Sequence, residues 1–174
     1  MKFVGIYKNN FWLACALLVL ALVIPGAHTG FGGQTSVAAP DNWVRVVTVN
    51  DDFETAVTFL KSSIEEEGLT ISDEGDVADM MSRTQDVFDG VELVYAKAMI
   101  YQFCSAKLGY KLFALSPKAI GSCPLSVFAY QQKGNDGVVT IGYRRPPRVA
   151  EPEVAKVFDE IAAVLERIVK RASE

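Results

Sequence analysis

Histidine is almost missing from this chain: the 174 residues contain one, His28. Acidic residues are missing altogether from the first 40, where the only charged side chains are Lys2 and Lys8. No Cys-x-x-Cys pair, no internal repeat and no low-complexity tract occurs. Each absence closes off a class of chemistry. Beyond the leader the chain has no imidazole, which excludes a histidine general base, a Ser-His-Asp triad, a histidine-ligated haem and a mixed Cys/His zinc site. A helix of fixed repeats or a thioredoxin-type redox motif is likewise not written in these residues.

What the first 40 residues do contain is a basic start followed by the apolar run FWLACALLVLALVIPGA at 11–27. A short positive region and about 15 apolar residues have the proportions of a secretory signal peptide, or of a short anchor held with its lysines in the cytoplasm. Cleavage after Ala27 would put Pro25 at the −3 position. The run TSVAAP at 35–40 places Ser36 and Ala38 in the small-x-small arrangement that signal peptidase reads, so a cut near Ala38 is expected. The alternative keeps residues 11–25 as an anchor, close to the roughly 17-residue minimum for a spanning helix. Cys15 lies inside the apolar run rather than after it, which excludes a lipidation site there. The expected location is periplasmic or otherwise extracytoplasmic, with membrane contact only through this segment.

Residues 1–38 are thus read as signal peptide or anchor, 39–148 as the main domain, and 149–174 as a C-terminal helix packing on that domain or on a second subunit. Removing 38 residues leaves 136, enough for one modest core. These carry 15 basic and all 21 acidic residues, a net of −6 that argues against general nucleic-acid binding.

WVRVVTV (43–49) reads as a β-branched strand. Asp51, with Glu54 three residues on, forms a capping-box-like start, and Phe53, Val57, Leu60 and Ile64 share one helix face until Gly68 stops it. LTIS (69–72) reads as a short strand. Val77, Met80, Met81, Val87 and Phe88 then suggest a helix within an acidic stretch, with the methionines as core or pocket lining. YAKAMIYQFC (95–104) is a central strand, capped into the next helix by Ser105 and ended by Pro117. LSVFAYQQ (125–132), KGNDG and VVTIGYRR (138–145) form a hairpin, and Pro152 opens a last amphipathic helix. The expected fold is α+β: a two-layer sandwich of about five strands in a mixed sheet, helices on one face. Val127 and Ala129 alternate with Phe128 and Tyr130, so the second face also needs cover, from the C-terminal helix or a second subunit.

From Val49 to Arg145 the sequence resembles the bacterial domain-of-unknown-function family 302. The carriers are EEEGLTI, the segment IYQFCSAKLGYKLFALSPKAIGSCPLSVFAYQ, and the closing DGVVTIGYRRP. The resemblance implies a compact, often self-associating two-layer α+β domain with no agreed activity. Against the family pattern, Cys104 stands where many members have Gly, Cys123 stands before the loop proline where they have Leu, and SDEGDVADMM lacks a His common in that region. These departures mark a distinct exported branch.

Cys104 and Cys123 are the foremost candidates. At two turns on one sheet edge, their Cα atoms can approach within the roughly 4.4–6.8 Å a bridge requires, and an oxidising compartment favours pairing. The first reading is a structural disulfide in a binding or interaction module. The second is thiol redox or sulfur-handling chemistry through Cys104, with the helix N-terminus and Lys107 lowering its pKa. The third is a Cu(I) site made by both sulfurs with Met99. The acidic run Asp73, Glu74, Asp76, Asp79, Asp86 and Asp89 lacks EF-hand periodicity and reads as a solvated face. Arg144, Arg145 and Arg148 form one basic patch that can meet an anionic ligand or acidic partner. Tyr101 and Tyr143, like Arg144 and Arg145, are binding candidates, the tyrosines by lending hydroxyls to a polar pocket. No cofactor is expected; the expected partners are a second copy, a small molecule or a periplasmic protein.

Overall fold

The computed structural model describes residues 43–88 and 91–174. The expected signal or anchor and its cleavage site lie outside the described residues, as does Asp89. Within them, strands β1 (Val44–Val49), β2 (Ile71–Asp76), β3 (Tyr95–Phe103), β4 (Leu125–Gln132) and β5 (Val139–Arg144) form one sheet in the order β1-β5-β4-β3-β2. Every neighbouring pair is antiparallel, so the sheet is not mixed as expected. The first strand pairs with the last through its whole length, and that places it at an edge where an antiparallel partner satisfies its amides.

Helices α1 (Phe53–Glu66), α3 (Ala106–Leu115) and α4 (Pro152–Arg171) make the second layer. Because side chains alternate along a strand, Val127, Ala129, Val139, Ile141, Tyr143, Tyr101 and Phe103 all point toward it. They meet Phe53, Val57, Leu60 and Ile64 of α1 and Val157, Phe158, Ile161, Leu165 and Ile168 of α4 in one core. Helix α4 therefore covers the same face as α1, in its own domain, and leaves the other face of the sheet without it.

The start of α1 falls one residue later than the capping box suggests. Asp52 is the cap: its extended backbone turns the carboxylate to accept from the Thr55 amide at 3.0 Å and from the Thr55 hydroxyl at 2.6 Å. Asp51 instead accepts from the Asp52 amide, and Glu54 turns outward to Lys97. The end is as expected. Gly68 takes a positive φ of 73°, the Gly68 amide reaches Glu65 and the Leu69 amide reaches Ile64, the two bonds of a Schellman stop.

The acidic stretch differs most from expectation. Asp73, Glu74 and Asp76 lie in edge strand β2 instead of a helix, where charge guards the open edge. Val77–Ser82 is α-helical (α2) and Gln85–Val87 a 3-10 turn, and Met80 and Met81 are 52% and 44% exposed, outside the core. Six residues give too little helix face to bury both. Beyond α3, residues 117–122 form a 3-10 turn. Among the described residues no helix is long and apolar enough to cross a membrane.

Glu67 ties the end of α1 to α4. Its carboxylate accepts from the Arg167 side chain at 2.8, 3.1 and 3.2 Å and from Arg171 at 3.3 Å, with its own side chain 11% exposed. The Arg167 hydrogen bonds, ahead of the opposing effect of burial, hold its carboxyl below the usual 4.5. A carboxyl depressed in the folded state stabilises fully above its unfolded pKa, and that contribution is lost as pH falls through the folded value. Glu67→Gln is expected to cost about 1 kcal/mol at neutral pH, discounted because Arg167 is half exposed. The variant's acid melting curve should converge on wild type below the usual carboxylate range; parallel curves down to that range would contradict the pairing.

Gly142 on β5 has no room for a side chain. A Cβ there would strike the Arg45 carbonyl and come within 2.9 Å of Phe128 Cζ and 3.0 Å of Val46 Cγ1. Phe128, its cross-strand partner, fills the space over the bare backbone. Gly142→Ala must push β1 off β5, at a cost of about 3 kcal/mol measured by denaturant unfolding.

Candidate functional site

Cys104 leaves β3 one residue before Ser105, whose hydroxyl caps α3 by accepting from the Leu108 amide at 3.5 Å. Cys123 follows the 3-10 turn, its amide bound to the Ile120 carbonyl at 3.1 Å. The two sulfurs lie 2.8 Å apart as free thiols, Cys104 exposed and Cys123 half-buried. The spacing is about 0.8 Å beyond a disulfide bond of about 2.05 Å. Burial first, and then the hydrogen bond to Cys104, push the Cys123 thiol up to about 11. The cavity beside the pair, between Leu108, Leu112, Phe113 and Ile161, holds only about 20 Å³, roughly one water.

Met99 does not join them. It precedes Cys104 by five residues of extended strand, about 16 Å at the rise of a β-strand. Nor do the four binding candidates converge. Tyr143 faces the helices and donates its hydroxyl to Glu166 at 2.9 Å, where Arg45 also pairs at 3.3 Å. Burial and that glutamate push its phenol up to about 12. Arg145 holds the start of β1, its backbone amide reaching the Trp43 carbonyl and its side chain the Val44 carbonyl. Arg144 points to the opposite face of the sheet from Tyr101 and Tyr143, as strand alternation requires.

That opposite face carries the first of two broad concavities. The register places Val46, Gly142, Phe128, Ile100 and Gly75 side by side across all five strands. Below them run Thr48, Thr140, Tyr130 and Ala98; above them run Arg144, Ser126, Gln102 and Asp73. Phe128 and Tyr130 stack with ring centres 6.3 Å apart, and Tyr95 tilts against Tyr130 at 5.4 Å. Trp43, 64% exposed, stands at the margin, and the groove encloses about 490 Å³. The alternation of Phe128 and Tyr130 signals this face in the sequence; Val46 and Ile100 join it only through pairing.

The second concavity, about 800 Å³, lies on the helix side, between α1, α2 and the strands β2 and β3. Tyr101 forms its floor, 1% exposed, with Lys61 5.6 Å above the ring. Lys61 pairs with Glu74 at 2.8 Å and Lys97 with Glu54 at 2.9 Å. Burial, followed by Glu74, Glu54 and Asp76, pushes the Tyr101 phenol up to about 12. Glu74 and Asp76, two apart in sequence, signal a shared strand face, while Lys61 arrives from α1 with no sequence cue. Among the described residues no group of three or more His, Cys, Asp or Glu is placed to hold a metal ion.

The family model described as "Domain of unknown function DUF302" matches residues 45–172, from β1 to the end of α4. Among solved structures, an uncharacterized conserved DUF302 protein from Bacillus stearothermophilus is similar in fold. Its TM-score is 0.64 at 16% identity, covering 75% of this chain and 98% of that one. Comparison with curated proteins gives no match.

Proposed function

The chain belongs to the DUF302 family, and we propose that this member is an exported, self-associating interaction module whose cysteine pair is a structural disulfide. The observation that carries the reading is the sheet face that no described helix covers: an aromatic and aliphatic surface across β1, β5, β4 and β3, with α4 committed to the other side. Apolar faces of this extent mark association surfaces. A second copy of the chain is the occupant that the charges favour. Arg144 and Asp73 are the only charged residues in the three rows, in the same row, with β4 and β3 between them, about 14 Å apart. A two-fold axis along the strands lays each Arg144 over the partner's Asp73 and the two Phe128–Ile100 centres over each other, an isologous contact.

The same geometry supports a structural role for the cysteines. Cys123 is half-buried, burial pushes its thiol up to about 11, and the adjoining cavity is one water in size, a setting for a structural bridge rather than for a bound thiol substrate. Export supplies the oxidising compartment that closes such a bridge. The test is light scattering of the protein purified from the periplasm without reductant. A particle of twice the chain mass is expected; a monomer at micromolar to millimolar concentration would refute the sheet-face reading.

A further inference from the structure

The helix-side cleft lies on the other side of the sheet from the association face and is independent of it. Its floor residue is anomalous. Tyr101 is 99% buried, yet its hydroxyl takes no hydrogen bond from any described side chain, in contrast to Tyr143 with Glu166. Among the described residues no fully sealed side-chain polar atom lacks a partner, so the residual exposure of Tyr101 is an opening into the cleft it lines. A phenol kept un-ionised there, held in position by a core strand, is a donor and acceptor waiting for something that enters.

The charges around it select the visitor. Lys61 and Lys97 are each already spent on a carboxylate at 2.8 and 2.9 Å, and Asp79 is tied to Arg83 at 3.0 Å. Asp76 uses Oδ1 to cap α2 at the Asp79 amide, 2.8 Å away, and its other oxygen has no partner among the described residues. Glu74, Glu54 and Asp76 act on the phenol, and the lining cations are all paired, Lys133 with Glu92 at 3.5 Å, so the free Asp76 oxygen is the charge left to meet a visitor. The carboxylates are not grouped as metal ligands. Phe53, Val57, Leu93 and Met99 supply an apolar wall beside them, in a cavity of small-molecule size.

We propose that this cleft binds a small organic cation, a primary amine with an apolar body, whose ammonium group is received by Tyr101 and Asp76. The ammonium N–H groups donate to the phenol oxygen and the Asp76 carboxylate, and the apolar body lies against Phe53 and Met99. The test is calorimetric titration of the full-length protein with phenethylamine, using 3-phenylpropionate as the matched anion. Saturable binding of the amine alone is expected. Tyr101→Phe, which keeps the ring in the core, and Asp76→Asn, which keeps the helix cap, should each weaken binding about tenfold, the scale of one hydrogen bond to a charged group. Melting curves verify that both variants fold. Equal binding of the anion, no saturable binding of phenethylamine at millimolar concentration, or unchanged affinity in folded Asp76→Asn would overturn the assignment. None of these outcomes bears on the dimer, which is read by mass.

Discussion

Cys104→Ser, purified without reductant, is expected to melt about 10 °C below the wild-type protein. The bridge proposed between Cys104 and Cys123 closes a loop of about 20 residues, which the chain-entropy relation values at about 3 kcal/mol, and a domain of this length loses about 3–4 °C for each. The loop contains all of α3 and the 3-10 turn, so cutting it frees the segment whose Leu108 and Leu112 pack against α4. Reduction of the wild-type protein should produce the same loss, and Cys104→Ser should then be insensitive to reductant. Non-reducing mass analysis decides the premise: a mass two protons lighter than the dithiol is expected, and two alkylatable thiols in native periplasmic protein would sink it. Redox chemistry at Cys104 predicts the opposite pattern, a variant with unchanged melting and lost thiol exchange.

The cysteine pair was legible in the sequence because both residues sit at element ends that a single sheet must bring to one edge. Elements defined by strong periodicity were equally legible: Phe53, Val57, Leu60 and Ile64 in α1, and Val157, Ile161, Leu165 and Ile168 in α4, all lie in the core. The segment from Ile71 to Phe88 was not. Its acidic residues have low β-propensity, and what holds Asp73 and Glu74 in a strand is pairing with Gln102 and Tyr101, thirty residues away, rather than any local preference. Strand direction was also hidden. A β-α-β order suggests parallel neighbours, but β1 pairs with β5, the most distant strand in the chain. The binding candidates Arg144, Arg145, Tyr101 and Tyr143 failed to converge for an equally simple reason. Adjacent strand residues point to opposite faces, so Tyr143 and Arg144 cannot line one pocket.

Ile100→Glu is expected to convert the proposed dimer to monomer while leaving the fold intact. Ile100 lies on the inner strand β3 beside Phe128, on the face away from the core, and unlike Phe128 it does not roof Gly142. In the monomer the new carboxylate is solvated. In the two-fold contact it is buried twice, each copy against the partner's Phe128, and two unpaired buried charges cost several kcal/mol each, enough to raise the dimer Kd by on the order of ten-thousandfold. The charge pair at the margin tests the geometry rather than the existence of the contact. Arg144→Asp should weaken the dimer, setting like charges against each other across the axis, by about tenfold or more. Adding Asp73→Arg should restore it, because the exchange recreates the same pairing with its signs reversed. Sedimentation measurements on the single and double variants read both effects. A dimer that Ile100→Glu leaves unchanged does not use this face, and a double variant no tighter than Arg144→Asp alone excludes the strand-parallel axis.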